Sequence, residues 1–339
     1  MKTVSFLVPC YNSEAYMRTC IDSLLGNPEQ VEIIIVNDGS SDQTGIIANE
    51  YQEKYPDTVT VIHKENGGHG SGIMAGVKIA KGYFFKVVDS DDWLDKETLP
   101  HYIDTLNTLK QRGDVQLVVN DYVYEYNGVN KQDSIIYSNV FHSNKVQTFE
   151  DSRSFAVNQY LTIHSCTYQT DVLRECNLDL PSHTFYEDNL YIYKPLPFVK
   201  NLYYMNAVLY HYYIGRPGQS MEEDNIKKRC DHQILVSKLI FSAYDIKQIS
   251  KERPKLGRIM LRENVLMLTA ATIFARLNRD KESELKVRQM WRELSGIDAY
   301  VTRLIKYRSM AFFVTIPGRL GRSFAIFNYR AAHKVLKFN

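Results

Sequence analysis

No apolar run in the 339-residue chain approaches the ~20 residues that a membrane-spanning helix needs. Residues 310–316, the longest late run, are far too few. No Cys-x-x-Cys pair occurs. The five cysteines, at positions 10, 20, 166, 176 and 230, are scattered and odd in number, which reads as a reduced, intracellular protein. The first residues pass directly into a strand-like run, without the layout of a signal peptide. There is no internal repeat and no low-complexity tract. With 44% hydrophobic and 24% charged residues, the composition excludes a disordered chain. The expectation is a cytoplasmic globular protein of two domains, or of one domain with an appendage.

Acid is missing from one end. Residues 299–339 contain no Asp or Glu but hold Arg303, Lys306, Arg308, Arg319, Arg322, Arg330, Lys334 and Lys337. Of the 41 basic residues, 33 are left for the rest of the chain, against its 39 acids. A mildly acidic body therefore carries a basic tail. The same tail holds Phe312, Phe313, Ile316, Leu320, Phe324, Ile326, Phe327, Tyr329, Val335 and Leu336, and Pro317-Gly318 splits it into two amphipathic stretches. Such a segment suits an anionic membrane surface, on the inner face of the plasma membrane. The alternative is that its apolar residues pack on the body or on a second subunit, which leaves a homo-oligomer open. No nucleic-acid-binding module matches, and no nucleic acid partner is expected.

What is present is a regular alternation. Residues 4–8, 31–36, 58–62 and 83–88 are apolar, β-forming runs. Helical spacing fills 13–25, with Ser13 as the expected N-cap, then 42–51 after the Ser41-Asp42 cap, and 70–80 after a glycine-rich loop. Strands alternating with helices at this pace predict parallel βαβ units with helices on both faces of the sheet. Ligands then bind at the edge where the strands end. Beyond residue 96 come a helix to about 112 and strand-like segments at 115–126 and 134–137. A mixed region rich in Tyr, Pro and His runs to about 220. Helical spacing returns at 225–249, 255–278 and 280–294. The 24 tyrosines suit wet, sugar- or nucleotide-binding clefts, though they serve equally at core edges.

Three acidic constellations fall where strands are expected to end. Asp38, after an apolar strand, can accept from a nucleobase N–H or a ribose hydroxyl; as plain structure, Asp38-Gly39 is a turn. Asp89, Ser90, Asp91 and Asp92 precede Trp93. Carboxylates this crowded repel unless a cation neutralises them, and hard oxygen ligands suit Mn²⁺ or Mg²⁺ bridging a nucleotide diphosphate. The third is Glu187-Asp188, set among aromatic neighbours, where a carboxylate can serve as general base toward an acceptor hydroxyl.

Four segments in register resemble glycosyltransferase family 2, with the GT-A fold. They are residues 8–14 (VPCYNSE), 35–42 (IVNDGSSD), 66–70 (NGGHG) and 88–93 (VDSDDW). The match is close over residues 1–100 and looser to about 220. It implies a nucleotide-sugar donor, usually a UDP-sugar, and inversion at the anomeric carbon. Pro9, Tyr11 and Glu14 would line the nucleoside pocket and Asp38 would contact the base. Asp89, with Ser90 beside it, would lie near the ribose and metal, and Asp91 would ligate the metal. Glu187-Asp188 resembles the family's acceptor-side pair, whose Asp is the proposed base. Residues 211–220 take the place of a flexible loop seen in some members; there Arg216 or His211 would reach the diphosphate, His211 also as a metal ligand. Read plainly, that segment is a surface turn. The acceptor is left open among a glycan, a lipid-linked saccharide, a cell-wall polymer and a protein, with the lipid-linked and wall classes favoured.

Two absences refine the resemblance. The Arg-Asn pair that many members carry after the glycine loop is replaced by residues 70–76 (GSGIMAG). The QxxRW motif of processive synthases does not occur, so addition of one sugar is expected. A nucleotidyltransferase would want a basic glycine-rich loop after the first strand, where Pro9-Cys10-Tyr11-Asn12 stands. A catalytically silent partner subunit would show eroded acidic motifs. The expected architecture is thus α/β: a mainly parallel sheet between helices over 1–220, with a nucleotide half at 1–100 and an acceptor half at 101–220. A helical C-terminal region at 221–339 ends in the basic amphipathic tail.

Overall fold

The first half of the chain folds as the alternation of its apolar runs dictates. In order come β1 (Lys2–Cys10), α1 (Met17–Leu24), β2 (Val31–Asp38), α2 (Thr44–Lys54), β3 (Val59–Lys64), α3 (His69–Ile79) and β4 (Gly82–Val87). The computed structural model describes residues 1–128, 132–157, 159–215 and 222–336, with backbone alone over 331–336. The chain divides into two compact units, Met1–Ile214 and Gly215–Asn339. In the first unit β1 lies between β2 and β4, parallel to both, and β3 flanks β2. Every residue of β2 is buried. Successive side chains point to opposite faces, so both faces of the sheet are covered.

The sheet then changes direction. After β5 (Trp93–Leu94) and α4 (Thr98–Arg112) come β6 (Leu117–Tyr126), β7 (Gln132–Ile135), β8 (Val146–Gln147) and β9 (Cys166–Gln169). The helices α5 (Thr170–Glu175) and α6 (Asp188–Tyr193) precede β10 (Leu202–Ile214). The strand order is β3-β2-β1-β4-β9-β6-β10-β5, with β7 beside β6 and β8 beside β10. Strands β6 and β10 are parallel to each other, but β9 runs antiparallel between β4 and β6. Its start therefore lies at the edge where β4 and β6 end. Phe84 pairs with Gln169 and Phe85 with Tyr168, a register that, continued, sets Asp89 opposite His164.

Three local expectations are corrected. Strand β1 does not stop at Pro9. The Leu7 carbonyl accepts from the Val88 N–H on the β4 side, so Pro9, two residues on, faces the same side after the ladder has ended. Its missing N–H costs no bond there. Ser13 does not cap α1; its hydroxyl sits 2.8 Å from that of Ser90, and the helix starts at Met17. The helix expected over 225–249 is three.

Those three helices open the second unit: α7 (Glu223–Lys228), α8 (Cys230–Ser242) and α9 (Ile246–Glu252). The last break is made by Asp245, whose carboxylate accepts from the N–H groups of Lys247 and Gln248. Then follow α10 (Pro254–Leu277), α11 (Lys281–Ile297), α12 (Ala299–Arg308), α13 (Ala311–Thr315) and α14 (Gly318–Leu336). Helix α10 is the axis; α7, α8, α9, α11, α13 and α14 all pack on it. Arg276 of α10 is buried, donating to the Val314 carbonyl of α13 and, at 3.2 Å, to Glu284 of α11. Among the described residues no helix is long and apolar enough to cross a membrane.

Candidate active site

The parallel strands β1, β2 and β4 end together, and the loops after them carry the polar groups. Hydrogen bonds lace these loops. Asn12 donates its N–H to Ser40 and accepts, through its side chain, the Ser41 N–H at 2.9 Å. Glu14, exposed, accepts the Gln43 N–H at 2.8 Å. Tyr11 is 57% exposed at the mouth, while Pro9 is buried beneath it in β1. Gly72 of α3 approaches Pro9 so closely that a Cβ there would stand 3.3 Å from the proline Cβ.

Asp38 ends β2 and is buried. One oxygen accepts from the Gly67 N–H at 2.9 Å and from Lys64 at 2.5 Å; the other accepts from the Gly68 N–H at 2.7 Å. A carboxylate has about four acceptor sites, and these three donors take three of them. Gly68 has φ +85°, and a Cβ there would meet the His183 backbone at 3.0 Å, so the turn requires glycine.

The turn that Asp38 holds delivers His69, the first residue of α3. Its Nδ1 lies 2.8 Å from Glu187 and its Nε2 3.0 Å from Asp89. Burial works to lower the imidazole pKa, but the hydrogen bonds and charges of Asp89 and Glu187 outweigh it and hold the pKa well above 6.5. Both carboxylates accept, so both ring nitrogens donate, as in an imidazolium. Glu187 is buried, and Gly70 makes room for it: a Cβ on Gly70 would stand 2.7 Å from the Glu187 Cγ. Asp188, the next residue, opens α6. Burial first, and then the Glu187 charge, push its pKa up to about 7, against the opposing pull of His69.

Asp92 is fully buried. The Tyr210 hydroxyl of β10 donates to it at 2.6 Å and accepts the Asp89 N–H at 3.1 Å; the Tyr213 N–H also reaches it, at 2.8 Å. Burial, then the charges of Asp91 and Asp89, raise the Asp92 pKa well above the usual range. Ser90 pairs with Ser13, and Asp91 is half-buried beside them.

The structure thus brings Asp89 and Glu187 together on His69, with Asp188 adjoining Glu187; in the sequence His69 stands only as part of the glycine-rich motif, without a role. His211 lies on another side of the loop. Its Nδ1 is 2.7 Å from Glu125, and its ring stacks on Trp93 with centroids 5.4 Å apart. Arg216 lies outside the described residues.

A metal finds suitable donors here. Among the described residues, Asp89, Asp92 and His164 offer atoms that all lie within 4.8 Å of one another. Neither Asp91 nor His211 belongs to that group. His164 stacks on Tyr212, and its Nε2 stands 3.8 Å from Asp89, too far for a hydrogen bond. Its Nδ1 is buried without a hydrogen-bond partner. Burial depresses its pKa to about 4, so the ring keeps a lone pair at neutral pH. The two carboxylates suit a hard divalent cation, and the neutral imidazole adds a nitrogen donor that a transition metal accepts more readily than Mg²⁺ does.

Residues 5–175, just over half the chain, match the model of glycosyl transferase family 2, and the chain belongs to that family. A Bacillus subtilis (strain 168) protein described as a glycosyltransferase, EpsH, is 32% identical over 230 residues, 62% of this chain and 60% of that one. The chain thus spans well under two thirds of that relative. The minor teichoic acid biosynthesis protein GgaB of the same organism is 32% identical over 114 residues, 33% of this chain and 13% of GgaB. Among solved structures, residues 1–349 of S. aureus TarS in complex with UDP-GlcNAc superpose with a TM-score of 0.65 at 20% identity. That match covers 99% of this chain and 92% of that one. The mannosyltransferase PcManGT of Pyrobaculum calidifontis, in complex with GDP-Man and Mn²⁺, gives 0.54 at 13% identity, covering 99% and 88%. The first unit therefore has the GT-A fold.

Proposed function

We propose that the chain transfers one sugar from a nucleotide sugar, in the first instance a UDP-sugar, to a hydroxyl of a glycan, a lipid-linked saccharide or a cell-wall polymer, with inversion. The observation that carries this reading is the convergence of Asp89 and Glu187 on one imidazole, with Asp188 next in the chain to Glu187, at the edge where β1, β2 and β4 end. Pro9, Tyr11, Glu14 and the remaining acceptor site of Asp38 form the nucleoside wall. Asp89, with Asp91 or with Asp92 and His164, holds the metal, and Ser90 lies beside the ribose. A divalent cation there supplies positive charge against the leaving diphosphate. Asp188 takes the proton of the acceptor hydroxyl as its oxygen bonds the anomeric carbon and the bond from that carbon to the diphosphate breaks. His69 fixes Glu187, and so the backbone that carries Asp188. The UDP-GlcNAc held by TarS and the teichoic acid pathway in the name of GgaB support the donor class and the wall-polymer acceptor.

The test is release of UDP from a panel of UDP-sugars, with and without a wall-polymer or lipid-linked acceptor. Acceptor-dependent release that EDTA abolishes is the expected result. No release from any nucleotide sugar would leave a catalytically silent member of the family.

A further inference from the structure

Helix α14 packs on α10 and α13 with its smallest residues. Gly321 and Ala325 are buried, and a Cβ on Gly321 would collide with the Ile316 carbonyl and stand 2.7 Å from the Arg276 guanidinium. Ile326 and Tyr329 are half-buried beside Leu277 and Glu223, but three other large apolar residues point away. Leu320, Phe324 and Phe327 follow the i, i+4, i+7 spacing of a single stripe, and they are 70%, 41% and 68% exposed. Phe313 of α13, 52% exposed, extends the stripe, its ring centroid 5.7 Å from that of Phe324. At helical spacing Arg319 and Arg330, both exposed, fall along one flank of it. A helix that turns glycine and alanine inward and phenylalanine outward leaves apolar area in water that folding does not require.

We propose that this face of α13 and α14 docks on an anionic lipid surface. The charge decides the occupant. Residues 299–339 hold no acid, so every charge that α13 and α14 themselves bring to the stripe is positive. A second copy docking the same face about a two-fold axis would set arginines against arginines, which opposes association. An acidic lipid headgroup layer pairs with the arginines while the phenylalanines enter the acyl boundary, each arginine adding about fivefold to the affinity.

The experiment is co-sedimentation of the full chain with phosphatidylglycerol–phosphatidylcholine vesicles and with pure phosphatidylcholine vesicles, at low and high salt. Binding to the anionic vesicles, weakened as salt rises, is expected. The combined variant Leu320→Ser, Phe324→Ser, Phe327→Ser should bind at least tenfold more weakly with its melting temperature and donor binding intact, since the three side chains are exposed. Arg319→Glu with Arg330→Glu should do the same. A full chain that ignores anionic vesicles overturns the proposal, as does a serine variant that binds them as before. A dimer that the serine variant dissolves, with no vesicle binding by either protein, assigns the stripe to a second copy. Binding of RNA in place of vesicles assigns it to nucleic acid.

Discussion

Glu187 and His69, 118 residues apart in the chain, meet at 2.8 Å. The other face of the same imidazole meets Asp89 at 3.0 Å. One ring therefore joins the two acidic motifs that the sequence shows only as separate runs. The first belongs to the donor side of the proposed reaction and the second to the acceptor side, so the ring fixes the distance across which sugar must pass. Effective positioning of this kind is worth several kcal/mol of barrier, and misplacement of about 1 Å costs a large factor in rate.

Gly70 sets that clasp. A methyl group at this position would stand 2.7 Å from the Glu187 Cγ and 3.0 Å from the Leu180 Cβ, both buried. Gly70→Ala should destabilise the protein by about 1–3 kcal/mol through overpacking. Turnover should fall further than the loss of fold accounts for, with donor affinity changed less. Thermal melting, donor binding and steady-state kinetics on one preparation check this; unchanged kinetics in a folded variant would remove the clasp from the mechanism.

His69 itself makes stability depend on pH. Its folded pKa lies above 6.5, so its ion pairs contribute fully below pH 6.5 and are lost as pH rises through the raised value. The metal-free protein should melt at progressively lower temperature on the alkaline side, and His69→Gln should flatten that slope. Melting curves from pH 6 to pH 10 on both proteins read it directly. Parallel slopes in the two proteins would show that some other group titrates.

Asp188 should impose a rising limb on activity. Burial and the Glu187 charge lift its carboxyl to about 7, so the protonated acid, which cannot accept a proton, dominates below that pH. The logarithm of kcat/KM should climb with pH and level off above about 7, because this ratio reports the free enzyme. Asp188→Asn should lower kcat by about 10²–10⁴-fold with donor affinity retained. Equal loss of affinity and turnover would mark a donor-binding role.

Much of this was legible. The apolar runs announced β1 to β4, and the strand-end rule put Asp38 and Asp89 at one edge before any geometry was known. His164 was not legible, for a topological reason. It precedes β9, and a reading built on parallel units looks for chemistry after strands; only because β9 is antiparallel does its start reach the edge where β4 ends. His69 was in view within the glycine loop, but a lone histidine on a helix start carries no partner in sequence. The Pro9 strand and the misassigned Ser13 cap failed for a different cause. Each depends on which neighbour a backbone or hydroxyl group faces, and spacing along the chain does not encode that.

The last prediction separates two donor sets for the metal. One comprises Asp89, Asp91 and His211, as the resemblance implies; the other comprises Asp89, Asp92 and His164, whose atoms lie within 4.8 Å. His211 lies 2.7 Å from Glu125 through Nδ1 and stacks on Trp93, and its other nitrogen, Nε2, stands 3.8 Å from Asp95 rather than beside Asp89. His164 offers a neutral ring with its Nε2 facing Asp89 across 3.8 Å, a gap wide enough for a cation between them. Mn²⁺ affinity in the presence of UDP, read by titration calorimetry or by the Mn²⁺ paramagnetic signal, should drop about tenfold or more in Asp89→Asn and in His164→Ala. His211→Ala should leave it nearly unchanged. Asp91→Asn tests whether the diphosphate draws that half-buried carboxylate inward, because its effect should then appear with UDP and vanish without it. If His211→Ala loses Mn²⁺ and His164→Ala does not, the metal sits on the side of the loop that Trp93 covers, and His164 serves only to pack against Tyr212.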